Sequence, residues 1–477
     1  MSDASRRFAA GASWLYGHRG LERLLDFAAT VVLARILSPE DFGLVAIAAS
    51  VVAIVEGLSA FDVNRALIRT RDDDRALYDT AWTLSALRGL AAALVMLAVA
   101  PFVSDARVGA VLSVMALGPL VGGLSNPRFV AFERDLVYSR LAVLTLVARV
   151  VAVTATLLVA VLYRSYWALV VGLLAGTAAS TVLSYALRPY RPRLTLARSS
   201  DLAAFSGWLS LATIVTTLSM ETDRIIVGAL LGIAEAGLYF MTVSVGALPT
   251  RELVSPLQRM LFPSFAELAL DRERLRRAAV ESINVLGSLS LAAGCGFALV
   301  ANDFVPLALG GQWRPIVPLL VVLVPYLGLR ATLSMALPCV MALGRTRLLA
   351  GVSLAYAVVH LPVFVAGTAL FGLRGAVGAI VTAGVLYSWL NAWMLRRTLD
   401  VTLGQILAQL RRPLVAAVLM AAAVLALGAA SPLDLFSTEG SWRSLLVKVP
   451  VGAAAYVGAL YVLWRREGRP AGIERRL

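Results

Sequence analysis

The segment Leu33–Leu44, LARILSPEDFGL, contains the first of the short connectors that decide the fold. Residues 38–41 separate an apolar stretch over 9–37 from a second over 42–66. Each stretch reaches the roughly 20 residues that a helix needs to cross a bilayer. The alternation of apolar stretch and short connector continues along the whole chain, which predicts an all-α polytopic membrane protein.

We predict about 14 transmembrane helices on this length criterion. The chain is 59% hydrophobic with a mean hydropathy of +0.81, a composition that excludes a soluble globular protein. Connectors shorter than about 20 residues leave no room for a soluble domain. The predicted spans are 9–37, 42–66, 79–103, 108–131, 139–162, 167–187, 203–231, 236–262, 278–302, 316–343, 348–371, 375–395, 413–430 and 444–464.

Connectors rich in arginine alternate along the chain with connectors poor in arginine. One set, which includes the N-terminal segment and the C-terminal tail, holds 27 arginines, whereas the intervening set holds 5. The positive-inside rule then predicts that both termini are cytoplasmic. The net charge of +14 follows from these cytoplasmic connectors, which meet anionic headgroups, so no nucleic-acid partner is needed.

An internal repeat organises the spans. A shift of 194 residues places Asp41–Val45 on Glu235–Tyr239 and Asn64–Ile68 on Gln258–Phe262. Because six spans is an even number, we expect two parallel six-helix repeats forming two lobes, with a cavity between them. The predicted domains are an N-lobe over 1–198, a C-lobe over 199–398, and two extra C-terminal helices with a cytoplasmic tail over 399–477.

The residues of the first connector resemble a known family. The segment Leu33–Leu44 is similar to the first hairpin of Wzx-type oligosaccharide flippases, in the MOP/MATE-like exporter superfamily, and the segments Tyr78–Leu84, Thr222–Gly228 and Leu248–Pro256 are similar too. The resemblance implies a bacterial inner-membrane protein that moves polyprenyl-diphosphate-linked oligosaccharide from the cytoplasmic to the outer leaflet. The product would serve surface polysaccharide (O-antigen, capsule or exopolysaccharide) biosynthesis, with a polysaccharide polymerase and chain-length machinery as expected partners.

Charged residues inside the predicted spans are the candidate site. Arg19, Glu22, Arg23 and Asp26 share one face of span 1. Facing lipid, each would cost about 2.5 to 3.5 kcal/mol, so we expect this face to contact protein or water. The alternative is a ladder of ion pairs that locks span 1 to a neighbour.

Arginine is the expected ligand of the substrate diphosphate, because its planar fork matches phosphate oxygens. Arg19, Arg23 and Arg251 are our candidates, and Pro249 can open the helix near Arg251. An ion pair with an acid of its own lobe is the alternative role for Arg251. The resemblance implies cavity arginines near spans 1, 2 and 8, as in the lipid II branch of the superfamily. Span 2 of this chain departs from that pattern, because it has Glu56 and Asp62 instead.

Acidic residues within the spans are candidates for proton or sodium coupling. Span 7 carries a polar stripe at helical spacing, although such stripes more often serve helix packing. Arg88, Arg149 and Arg330 are expected to pair with acids between helices. The cavity and coupling candidates are Glu22, Asp26, Glu56, Asp62, Glu221, Asp223, Arg224, Glu252 and Glu281.

Several other classes are disfavoured. A nucleotide-binding Gly-rich loop is absent from the sequence, and Lys448 is its single lysine, so ATP hydrolysis is not expected. No cleavable signal peptide, metal site or cofactor is predicted. Two alternatives stay open: an ion-coupled multidrug exporter on the same scaffold, and a membrane polymerase or ligase of lipid-linked sugars. The polymerase or ligase would need a larger outer loop than 431–443, so we do not expect an enzyme.

Overall fold

The protein is built from helices of membrane-spanning length. The computed structural model describes residues 3–58, 67, 74–134, 138–199, 207–430 and 441–467, and no β-strand occurs among them. The helices are α1 (Asp3–Ile36), α2 (Pro39–Leu58), α3 (Arg75–Val99), α4 (Ala106–Met115), α5 (Leu117–Gly123), α6 (Val130–Arg134), α7 (Tyr138–Tyr163), α8 (Trp167–Leu187), α9 (Gly207–Leu231), α10 (Ile233–Leu268), α11 (Arg272–Ala308), α12 (Val317–Thr332), α13 (Ala336–Ala342), α14 (Thr346–Leu399), α15 (Leu403–Ala430) and α16 (Trp442–Arg466).

Ten helical segments of the described chain are long and apolar enough to cross a membrane. The predicted all-α polytopic fold is therefore confirmed. Three further helices, α1, α9 and α10, coincide with predicted spans and carry intramembrane charges that lower their hydropathy. The long α14 covers two predicted spans. They meet at Gly372, whose φ of 61° and ψ of −144° interrupt the helix. Each of the predicted spans thus has a helical counterpart.

The first hairpin is defined by reciprocal capping. The side chain of Asp41 accepts hydrogen bonds from the Ser38 backbone N–H at 2.8 Å and from the Ser38 hydroxyl at 2.7 Å. The Asp41 backbone N–H donates to the Ser38 hydroxyl at 3.2 Å, and Pro39 occupies the first position of α2. This capping box ends α1 and begins α2 within two residues.

The chain divides into two compact units, residues 1–225 and 226–477. In the first unit α7 packs along α8 and α1, while α3 packs on α5. In the second unit α11 is central and packs on α12, α15 and α16. The predicted lobes 1–198 and 199–398, with the segment 399–477, remain a prediction.

Close crossings between two helices occur at matching places in the two units. A Cβ on Gly123 of α5 would lie 2.6 Å from the Ser85 carbonyl oxygen of α3. In the second unit, a Cβ on Gly328 of α12 would lie 2.6 Å from the Ser290 carbonyl oxygen of α11. Both members of the second pair follow their counterparts by 205 residues.

Gly89 faces the Pro119 carbonyl oxygen, and Gly294 faces the Val324 carbonyl oxygen. The second pair again follows the first by 205 residues. These matched crossings support the predicted repeat. The shift differs from the 194 residues of the first hairpins, so the second copy carries extra residues before its third helix. The parallel arrangement of the repeats remains a prediction.

The C-terminal helices α15 and α16 are attached to α11 by buried polar contacts. The Lys448 ammonium on α16 lies 2.7 Å from the Asp303 carboxylate on α11, with 1% and 0% of the two side chains exposed. The Tyr456 hydroxyl donates to the Ser288 carbonyl oxygen at 2.8 Å. The predicted span 278–302 stops just before Asp303, whereas α11 continues to Ala308 and Asp303 is buried. The predicted end of this span was therefore six residues early.

Candidate functional site

Three of the four charged candidates on α1 have described side chains. Asp26 accepts a hydrogen bond from Arg149 of α7 at 2.6 Å, and the two side chains are 38% and 47% exposed. Glu22 and Arg23 are half-buried. The expectation that Arg149 pairs with an acid of another helix is confirmed. The side chain of Arg19 lies outside the described residues.

A second polar cluster joins α2 to α9 within the first unit. The Arg224 guanidinium donates to the Glu221 carboxylate at 2.5 Å and to the Ser50 hydroxyl at 3.4 Å. Ser50, fully buried on α2, donates to the same carboxylate at 3.0 Å. Both charged side chains are about one-fifth exposed, at 19% and 22%. Glu221 is therefore a carboxylate with a fixed cation and a fixed hydroxyl donor.

The remaining acidic candidates of the first unit are placed differently. Asp223 is 6% exposed on α9. Glu56 is exposed near the end of α2, and the charge of Arg88 on α3 acts on it. Asp62 lies outside the described residues. The structure thus brings together Glu221 with Arg224, and Asp26 with Arg149.

In the second unit, Arg251 and Glu252 are adjacent on α10. The Arg251 Nε lies 3.6 Å from the Glu252 carboxylate, and 63% of the Arg251 side chain is exposed. The pairing matches the alternative role expected for Arg251, while the exposure leaves its guanidinium accessible to a ligand. Pro249 lies two residues earlier inside the same helix. Glu281 is exposed on α11.

Two polar contacts, Ser50 with Glu221 and Lys448 with Asp303, were not predicted from the sequence. Ser50 lies in an apolar stretch, and its contact with Glu221 joins residues separated by 171 positions. Lys448 was noted only as a single lysine, and Asp303 was placed in a connector. Their close pairing depends on how α16 packs on α11, which no local pattern reveals.

The described chain is a polytopic helical membrane protein with ion pairs between its helices, a feature that membrane transporters share. Residues 32–318 match the family described as polysaccharide biosynthesis protein. The chain belongs to this family, and it is a multi-pass membrane protein.

Two curated relatives have informative names. The chain is 27% identical to the lipopolysaccharide biosynthesis protein WzxC of Escherichia coli (strain K12), over 62% of this chain and 62% of that protein. It is 26% identical to the succinoglycan biosynthesis transport protein ExoT of Rhizobium meliloti (strain 1021), over 84% of this chain and 82% of that protein. The chain thus spans less than two thirds of WzxC and a larger share of ExoT.

Solved structures share the fold. The lipid II flippase MurJ, in an inward closed conformation, superposes with a TM-score of 0.73 at 11% identity and covers 95% of this chain and 99% of MurJ. An inward-facing multidrug resistance MATE family transporter of the MOP superfamily gives a TM-score of 0.59 at 15% identity, over 82% of this chain and 96% of that chain. These likenesses establish a MurJ- and MATE-like fold.

Proposed function

We propose that the protein translocates polyprenyl-diphosphate-linked oligosaccharide from the cytoplasmic to the outer leaflet by alternating access. The observation that carries this proposal is the combination of family membership with relatives named for lipopolysaccharide and succinoglycan biosynthesis. One relative is named a transport protein, and one protein of the same fold is named a flippase. These names support transport rather than catalysis, so we do not assign an enzymatic reaction.

We assign binding of the substrate diphosphate to arginines within the predicted spans. Arg23 is half-buried on α1, and Arg251 on α10 is 63% exposed, so its planar fork is accessible to phosphate oxygens. Arg19 shares the α1 face with Arg23 at a spacing of four residues. Glu252, 3.6 Å from Arg251, would hold that guanidinium when no anion is bound.

Coupling to a proton or sodium gradient is assigned first to Glu221. Its carboxylate contacts the Arg224 guanidinium and the Ser50 hydroxyl, so a change in its charge would alter the packing of α2 on α9. Asp26 holds α1 to α7 in the same way. The further coupling candidates are Glu22, Glu56, Asp62, Asp223, Glu252 and Glu281.

The membrane is proposed to be the bacterial inner membrane, because the chain resembles Wzx-type flippases and its named relatives are bacterial. The arginine bias supports cytoplasmic termini. A polysaccharide polymerase and chain-length machinery are the proposed partners, because they would consume the translocated oligosaccharide. The lobe boundaries 1–198, 199–398 and 399–477 are part of the same proposal.

A reconstituted transport assay tests the proposal. Proteoliposomes would carry a fluorescent polyprenyl-diphosphate oligosaccharide, and its translocation would be followed by quenching with a membrane-impermeant reductant. We expect the wild-type protein to translocate the lipid, and Arg23→Ala and Arg251→Ala to lose on the order of a hundredfold in rate, because each removes charge-assisted hydrogen bonds to the diphosphate. Arg191→Ala, an exposed arginine between α8 and α9, is the matched control.

Two outcomes would separate the parts of the proposal. Transport of organic cations without transport of the lipid would favour the multidrug exporter that shares this fold. Lipid transport that Arg23→Ala and Arg251→Ala leave unchanged would keep the function and reject these two arginines. Loss of gradient dependence in Glu221→Gln, with transport down a lipid gradient retained, would support the coupling role of Glu221.

A further inference from the structure

Three arginines gather around aromatic rings at one end of the first unit, where α3 and α7 begin and α8 ends. The Arg128 guanidinium lies over the Tyr78 ring at 5.4 Å and over the Tyr190 ring at 5.8 Å. The guanidiniums of Arg140 and Arg188 lie over the Phe132 ring at 5.2 and 5.5 Å. Cation–π contacts of this kind orient a guanidinium while leaving its edge available for hydrogen bonds.

Hydrogen bonds hold together the two backbone segments that carry Arg128 and Arg188. Asn126, 3% exposed, donates from its side-chain amide to the carbonyl oxygens of Ser184 at 3.1 Å and Arg188 at 2.6 Å. Its backbone N–H donates to the Ser184 hydroxyl at 3.1 Å. The segment containing Arg128 is thereby fixed to the end of α8. Arg188 also donates to the Arg128 carbonyl oxygen at 3.4 Å, so the two arginines are positioned together.

The charge of this group is not neutralised by the described residues. No described carboxylate lies within ion-pair distance of Arg128, Arg140 or Arg188, although Arg198 at the same end of the unit pairs with Asp74 at 2.9 Å. The Asp79 carboxylate accepts from the Tyr190 hydroxyl and from the Arg193 backbone N–H at 3.2 Å. The Nε of Arg128 is buried and has no hydrogen-bond partner. A buried donor on a cation is costly unless an anion satisfies it.

We propose that Arg128, Arg140 and Arg188 form a binding site for the phosphate group of a membrane lipid. Their position at the ends of membrane-spanning helices is where the phosphates of a bilayer lie. A guanidinium held against an aromatic ring presents a planar fork that suits phosphate oxygens better than a lysine ammonium does. The site is separate from the transport residues proposed above and does not depend on their role. The phosphate comes either from an anionic phospholipid or from a prenyl diphosphate waiting at the membrane surface.

Lipid titration of the full-length protein in detergent, read by native mass spectrometry, tests the site. The probes are dioctanoyl phosphatidylglycerol, farnesyl diphosphate, and dioctanoylglycerol, which lacks a phosphate. We expect Arg128→Gln, Arg140→Gln and Arg188→Gln each to weaken binding of a phosphate-bearing probe on the order of tenfold. Arg193→Gln removes the same charge from an exposed residue nearby and should leave binding unchanged.

The two sources of phosphate give different results. If the three variants lose binding of phosphatidylglycerol only, the site is a phospholipid site. If they lose binding of farnesyl diphosphate only, it is a site for a prenyl diphosphate. Equal weakening in Arg193→Gln would overturn the proposal, since only net charge would then matter. Binding of dioctanoylglycerol as tightly as phosphatidylglycerol would overturn it too. Arg140 is exposed, so Arg140→Gln keeps the test valid if Arg128→Gln does not fold.

Discussion

At the scale of single residues, the pair of Lys448 and Asp303 has the largest predicted effect on stability. Both side chains are completely enclosed, and the ammonium lies 2.7 Å from the carboxylate. Removing one partner leaves an uncompensated buried charge, so Asp303→Asn or Lys448→Met should each lower the free energy of unfolding by about 3–5 kcal/mol. Unfolding in mixed micelles with increasing SDS, followed by tryptophan fluorescence, measures this difference.

The double variant Asp303→Leu, Lys448→Met provides the control for that prediction. An apolar pair of similar volume should recover most of the lost stability, because no charge then remains buried. A single variant that costs less than about 1 kcal/mol would show that water reaches the pair. The same outcome would weaken the view that this contact attaches α16 to α11.

Tyr190, just beyond the end of α8, should give the protein a pH dependence on the alkaline side. Burial, together with the hydrogen bond its hydroxyl donates to Asp79, raises the pKa of the Tyr190 phenol above its ordinary value. A raised folded-state pKa means that the contribution is complete below about pH 10 and is lost as the pH rises through the folded pKa. The stability difference between wild type and Tyr190→Phe should therefore be constant at lower pH and decrease above about pH 10.

Chemical unfolding of both proteins at a series of pH values checks this dependence. Tyr163→Phe is the control, because the Tyr163 side chain is 72% exposed in the same unit. A stability difference between wild type and Tyr190→Phe that does not decrease at alkaline pH would contradict the prediction.

At the scale of helices, the matched glycine crossings set how closely two spans approach. A Cβ on Gly328 would lie 2.6 Å from the Ser290 carbonyl oxygen, and backbone cannot move aside as a flexible side chain can. Gly328→Val should lower the free energy of unfolding by about 1–3 kcal/mol through overpacking. Gly378→Val on α14 is the matched control, since no atom lies within 4 Å of its added Cβ. Equal stability of the two variants in the SDS titration would contradict this account.

Helix positions could be read from the sequence because hydropathy and connector charge are local properties. The predicted span 167–187 coincides with α8, Trp167–Leu187. The predicted start at 413 was ten residues late, because α15 begins at Leu403 with polar residues such as Gln405 and Arg411 that a helix end at the interface accepts. Partners between helices could not be read in this way. The contact of Asp26 with Arg149 spans 123 positions and depends on how α1 packs on α7.

The alternation of apolar stretches and short connectors predicted the fold class, whereas the candidate site could be predicted only as a set of charges. Glu221 was a candidate because a carboxylate within a span is costly, and that reasoning is local. Its hydroxyl partner Ser50 is a small polar residue in an apolar helix. The hydroxyl of such a residue usually donates to a backbone carbonyl oxygen one turn earlier in the same helix. The Ser50 hydroxyl also lies 2.9 Å from the Ala46 carbonyl oxygen, so its single proton can be donated to either acceptor. Nothing in the sequence distinguishes it from other helical serines.

At the scale of the whole molecule, the arginine bias predicts an orientation that labelling can test. The connectors containing Arg191 and Ser104 belong to opposite sets, and both residues are exposed. In a background without Cys295 and Cys339, a membrane-impermeant maleimide should modify Ser104→Cys in intact spheroplasts and Arg191→Cys only after the membrane is opened. The reverse pattern would place both termini outside. The substrate would then enter at the face opposite to the termini, because the proposed direction runs from the cytoplasmic to the outer leaflet.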